Sequence, residues 1–235
     1  VYHLTAIATD NANLTTTSTD VGVLAFSATG SSSANVFTGT YLNGFETGKF
    51  ALMSFGGKTV TLIAHSTGGT TGGAKTYYYP DVPMDTSGGF TQTTNGVTIS
   101  GTVMNGSVTG TISNGTAFPL TFIGVSPVTT GAAFAASGYY SGNLSAHPAS
   151  TLAAIVGTDG SIMVYLKDGT FSDVGDGKVD GTGAFTVTTV ANNTLIGRAD
   201  PSTGFLTGKL SGSTAADFTG GLASGGSFSD GALRN

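Results

Sequence analysis

Residues 84–93 read MDTSGGFTQT, and residues 179–188 read VDGTGAFTVT. The landmarks around these two strings return in the same order. VTISGTV (97–103) answers NTLIGRA (193–199), and NGSVTGTIS (105–113) answers STGFLTGKLS (202–211). Upstream, FTGTYLNG (37–44) answers YYSGNLSA (139–146), and the apolar run from Ala51 to Ala64 answers that from Ala153 to Leu166. The offset drifts from 103 residues at Gly39/Gly142 to 95 at Phe90/Phe185 and 98 at Gly110/Gly208, as small insertions between strands would produce. The chain is therefore an internal duplication, and any fold assigned to it must be built twice.

Composition sets the class of that fold. Of 235 residues, 38 are Gly and 64 are Ser or Thr, with only 8 Lys and Arg against 13 Asp and Glu. Glu occurs once, at Glu46, so the residues that usually fill helix surfaces are scarce. Val, Ile, Thr, Phe and Tyr alternate instead with Gly, Ser and Asn, which is the grammar of strands and turns. In the first repeat the alternation predicts strands at 36–42, 49–55, 59–65, 75–79, 89–94, 97–103, 107–112 and 117–124. Asn95-Gly96 and Asn105-Gly106 are strong hairpin signals, and Gly56-Gly57 supplies a third. Asp159-Gly160 and Asp168-Gly169 take over in the second repeat. Short turns imply antiparallel neighbours, and no helix-length segment separates the strands.

The expected fold is all-β: an antiparallel meander with two pseudo-repeats of about 90 residues forming β-barrels or a β-sandwich. The expected organisation is N-terminal strands over 1–35, capping an edge or linking subunits. Repeat one follows over 36–125, a linker over 126–137, and repeat two with a C-terminal tail over 138–235. Residues 1–9 and 21–29 read as strands, and a last strand is expected around Phe228.

Composition also excludes. The net charge is −5 and the few cations form no basic stripe, so nucleic-acid binding is not expected. No window approaches the ~18 apolar residues of a membrane helix. Cys is absent, which removes disulfides, thiolate chemistry and Cys-ligated zinc. A Cys-free, Glu-poor, Ser/Thr/Gly-rich chain opening at Val1 is expected of a processed protein that is secreted or carried on the cell surface. DGTGAFTVT (180–188) and STGFLTGKLSG (202–212) are similar to glycine-rich antiparallel β-repeats of bacterial secreted and cell-surface proteins. The duplicated β architecture, the absence of Cys, the few charges and the Thr/Ser/Gly-rich surface lead to the expectation of a non-catalytic structural or adhesive role as a matrix, surface-layer or fibre subunit, with self-association or another surface protein as partner.

Three groups carry candidate chemistry. In KTYYYP (75–80), strand alternation puts Tyr77 and Tyr79 on one face and Tyr78 on the other, so exposed rings would stack on glycans or a partner. The competing reading is that these tyrosines cover the end of a barrel. Asp168, Asp173, Asp176 and Asp180 form the densest carboxylate cluster and are candidate calcium ligands. The EF-hand pattern is not met, and the competing reading is that these Asp residues shape turns. No other cofactor is expected. His3, His65 and His147 are scattered, and neither G-x-S-x-G nor H-E-x-x-H occurs. A glycan- or small-ligand-binding β module is the alternative function, and a carboxylate-based polysaccharide-active enzyme the third.

Overall fold

The duplication builds two eight-stranded antiparallel sheets, seen in a computed structural model of the chain. The structure describes residues 2–4, 7–9, 15–17, 21–23 and 35–222, apart from 44, 70–74, 114, 116–118, 128–133, 146, 170 and 213–214. Residues 1–30 form one unit, with strands β1 (Tyr2–Leu4), β2 (Ile7–Thr9), β3 (Thr15–Thr17) and β4 (Val21–Val23). β1 pairs with β4, and β2 with β3. The single strand expected over 1–9 is thus two short strands in different sheets. The strand expected around Phe228 lies outside the described residues.

The second unit carries both repeats. Repeat one supplies β5 (Asn35–Leu42), β6 (Thr47–Phe55), β7 (Thr59–Gly68), β8 (Thr76–Pro83), β9 (Gly89–Thr94), β10 (Val97–Met104), β11 (Ser107–Ser113) and β12 (Leu120–Val125). Repeat two supplies β13 (Gly138–Leu144), β14 (His147–Val156), β15 (Ser161–Asp168), β16 (Phe171–Lys178), β17 (Ala184–Thr189), β18 (Thr194–Asp200), β19 (Phe205–Ser211) and β20 (Ala216–Leu222). Each repeat is an up-and-down meander whose last strand returns to its first, β12 to β5 and β20 to β13. The second is a closed barrel. The first stops short of closure, because β8 and β9 meet only at the Met84–Phe90 bridge. No helix among the described residues is long and apolar enough to cross a membrane.

Local chemistry accounts for the turns. Asn95-Gly96 and Asn105-Gly106 take positive φ at both residues (52° and 77°, 54° and 75°), the geometry a two-residue hairpin requires. The opening motif is a second kind of turn. Asp85 Oδ1 accepts the Ser87 amide (2.8 Å), the Ser87 hydroxyl (2.6 Å) and the Gly89 amide (2.9 Å). Asp180 Oδ1 does the same with the Thr182 amide, its hydroxyl and the Ala184 amide (2.8, 2.7 and 3.0 Å). The sequence match at 84–93 and 179–188 is thus one carboxylate-organised turn made twice, and it feeds a phenylalanine into each core. β8 extends four residues past its expected end at Tyr79. A bulge between Val60 and Leu62, with Asp81 at φ 49°, lets pairing resume beyond Pro80.

Inside each barrel, phenylalanines lie across glycines on the neighbouring strand. Phe90 faces Gly101, which pairs with Gly110, which faces Phe122. Phe185, Gly197, Gly208 and Phe218 repeat the row. A Cβ at Gly101 would lie 2.6 Å from Phe90 Cζ, and one at Gly197 2.6 Å from Phe185 Cζ. The missing side chains are therefore the space the rings occupy. Eight strands enclose an interior just wide enough for side chains to fill. Tyr41, Phe37, Phe50, Leu62, Ile99 and Phe122 fill the first, and Tyr140, Leu152, Val164, Leu195, Leu206 and Phe218 the second.

The apolar runs at 51–64 and 153–166 have a further cause. β6, β7, β14 and β15 are buried on both faces, since their outer sides pack the two barrels together. Ala51, Met53, Ile63, Ala153, Ile155, Met163 and Val174 make this interface with Tyr139 and Tyr165. Tyr78 stacks on Tyr165 at 4.5 Å between centroids and shares a 2.7 Å hydrogen bond with Tyr139. Corresponding strands meet, β6 with β14, β7 with β15 and β8 with β16, as in an isologous dimer joined in one chain. Tyr165→Ala is therefore expected to cost about 3 kcal/mol in urea denaturation. Exposed Met104→Ala should stay within about 0.5 kcal/mol.

Candidate functional site

The tyrosine triplet is part of the packing. Tyr77 and Tyr79 point into the first barrel and are buried, and Tyr78 is held in the interface between barrels. The exposed stacking face suggested by KTYYYP is thus taken up by the protein's own contacts, because the alternation left open which side of β8 meets the core. Burial raises the hydroxyl pKa of all three above the ordinary tyrosine value. Tyr79 donates to the Val97 carbonyl (3.0 Å), reaching from β8 to the start of β10 across the open seam.

The four clustered aspartates proposed as calcium ligands, Asp168, Asp173, Asp176 and Asp180, go to four different places. Asp168 pairs with His147 (2.8 Å). Asp173 is buried at the β16–β17 seam, where the ladder is only two residues long. It accepts the Val174 and Ala191 amides (3.0 and 3.1 Å) and the Asn193 side-chain amide (2.9 Å), so both carboxylate oxygens are hydrogen-bonded within the seam. Asp176 lies between the barrels, and Asp180 organises its turn. Among the described residues no three His, Cys, Asp or Glu side chains form a group that could hold a metal.

Two clusters carried little signal in the sequence. At one end of the first barrel, buried Glu46 accepts from Tyr41 (3.0 Å) and Tyr77 (3.5 Å) and pairs with Lys75 (2.9 Å). Its being the lone Glu was the available hint. Across the interface, Asp176 accepts from His65 Nε2 (2.9 Å) and Lys49 Nζ (2.7 Å), both on the first barrel. These partners are 111 and 127 residues away in sequence, beyond any local pattern.

A concave surface completes the inventory. A groove of about 830 Å³ runs over the outer side of β9, β10 and β11, beside the turn at 83–85. Thr91, Ser100, Thr102, Thr109 and Thr111 line it with hydroxyls, and Gly89, paired with Thr102, leaves bare backbone on the same face. Asp85 Oδ2 lies beside Gly89 at its edge. Bonds from the Ser87 hydroxyl and from backbone amides hold the Asp85 carboxyl below its usual pKa.

The interface carboxylate gives a pH test. Hydrogen bonding from His65, with Lys49 beside it, lowers the Asp176 pKa from 3.8 to about 2. A lowered folded-state value stabilises above the unfolded pKa and is lost as pH falls through the folded one. Asp176→Asn should therefore have a lower urea midpoint than the parent at pH 5, and the gap should close most of the way by about pH 2.

No protein-family model matches the chain, and neither does any curated protein or any solved structure.

Proposed function

We propose that this is a non-catalytic extracellular or cell-surface β protein with a structural or adhesive role, working with copies of itself or another surface protein. The observation that carries this reading is the joining of two packed barrels, through the apolar cluster around Tyr78, Tyr139 and Tyr165, into one body. A structural or displayed module needs such a body, and among the described residues both barrel interiors are filled with side chains. The carboxylates that an acid–base mechanism would draw on support it too. Asp85, Asp180 and Asp200 organise turns, Asp173 braces a seam, and Glu46, Asp168 and Asp176 sit in ion pairs. The free faces, rich in Thr and Ser and poor in charge, leave room for flat packing against a neighbour. The Cys-free composition and the likeness to bacterial surface β-repeats support the extracellular part of the reading.

Sedimentation of the purified chain over a concentration series, with electron microscopy of the same samples and a pull-down on bacterial cell envelopes, tests this. Assembly or envelope binding is expected. A monomer at every concentration that binds no envelope would contradict it.

A further inference from the structure

We infer that the groove over β9–β11 of the first barrel is a binding site for a neutral saccharide chain. The inference goes beyond the structural or adhesive reading and does not depend on it. The duplication supplies an internal control. Phe90, Gly101 and Gly110 correspond to Phe185, Gly197 and Gly208, with the same cross-strand pairing, so the two sheets present equivalent outer positions. Where the first barrel has Ser100, Thr102 and Thr111, the second has Ile196, Arg198 and Lys209. Gly89 is answered by Ala184. The fold accepts long side chains at these positions, so the open groove is a property of the first barrel's residues and not a demand of the backbone.

Its chemistry selects the ligand. A volume of about 830 Å³ is within the range of small-ligand sites, ~300–1,000 Å³. Each hydroxyl both donates and accepts, as a sugar hydroxyl does. Thr102 and Thr109 face each other across β10 and β11, and among the described residues their hydroxyls make no hydrogen bond. Asp85 adds a carboxylate acceptor for a sugar hydroxyl. No Lys, Arg or His lines the groove, so a phosphate, sulfate or uronate would find no counter-charge beside that carboxylate. The missing side chain at Gly89, an outward position paired with Thr102, lets a flat ring approach the sheet closely there. An open trough along a sheet suits a chain more than a single enclosed unit.

The full chain would be titrated by calorimetry with neutral gluco-, xylo-, manno- and N-acetylglucosamine oligosaccharides, with an oligogalacturonate as the charged control. At least one neutral oligomer should bind. The triple variant Ser100→Ile, Thr102→Arg, Thr111→Lys, which gives the first barrel the second barrel's own residues, should weaken that binding about tenfold or more. Thr102→Arg alone should act in the same direction and serves if the triple variant fails to fold. Absence of binding by every neutral oligomer at millimolar concentration overturns the inference. So does binding retained by the folded variants, or preference for the oligogalacturonate.

Discussion

A phenylalanine ring lying across a glycine on the next strand is the contact on which both barrels depend. The glycine removes a side chain on the inner face, and the ring fills the volume vacated there. The same row occurs in each half, Phe90–Gly101–Gly110–Phe122 and Phe185–Gly197–Gly208–Phe218. Phe50 extends the device in the first barrel, where its ring lies against both Gly39 and Gly124. Several turns, some strand lengths and the outer surfaces differ between the halves; this inner row and the aspartate-organised turn before it do not.

From that row follows a division of labour between faces. Within the first four strands of each repeat, β6, β7, β14 and β15 are covered on both sides, by their own core and by the other barrel, and β5, β8, β13 and β16 add Val36, Tyr78, Tyr139 and Val174 to the same contact. Among the described residues the last four strands of each repeat add nothing to that contact, and their outer positions are exposed or half-buried. The Tyr78–Tyr165 stack, the Tyr78–Tyr139 hydrogen bond and the Asp176 bridge to Lys49 and His65, which join the two barrels, lie on the first set. The groove lies on the second set. The halves differ there, where Ser100, Thr102 and Thr111 stand opposite Ile196, Arg198 and Lys209. A duplication that preserves its core and its internal interface can vary one outer face without cost to the fold.

The strands and hairpins were legible because their causes are local. Asn-Gly pairs, D-x-[ST] turns and period-2 alternation act within a few residues, so the sequence places most strands within two or three residues of where they lie. Closure was not legible. It depends on Gly175 and Asp176 meeting Thr189 and Thr188, and on β8 failing to do the same after Pro80 and Asp81. The tyrosine string misled for a related reason: alternation separates Tyr78 from Tyr77 and Tyr79, but burial on both sides of β8 is set by partners far along the chain. The apolar runs at 51–64 and 153–166 did carry the signal of the interface, as strands too uniformly apolar for one covered face. The groove had no sequence signal of its own, because Thr and Ser are common throughout and only the pairing register gathers five of them on one surface.

The most direct measurement is a double-mutant cycle on Gly124 and Phe50 in urea denaturation. A Cβ at Gly124 would lie 2.5 Å from Phe50 Cζ, while its nearest backbone contact, the Thr38 carbonyl, is at 2.9 Å. Gly124→Ala should cost about 1–3 kcal/mol when Phe50 is present. Much of that cost should disappear in the background of Phe50→Ala, giving a coupling above about 1 kcal/mol. Costs that simply add, within about 0.5 kcal/mol, would contradict the view that ring and glycine occupy one shared space.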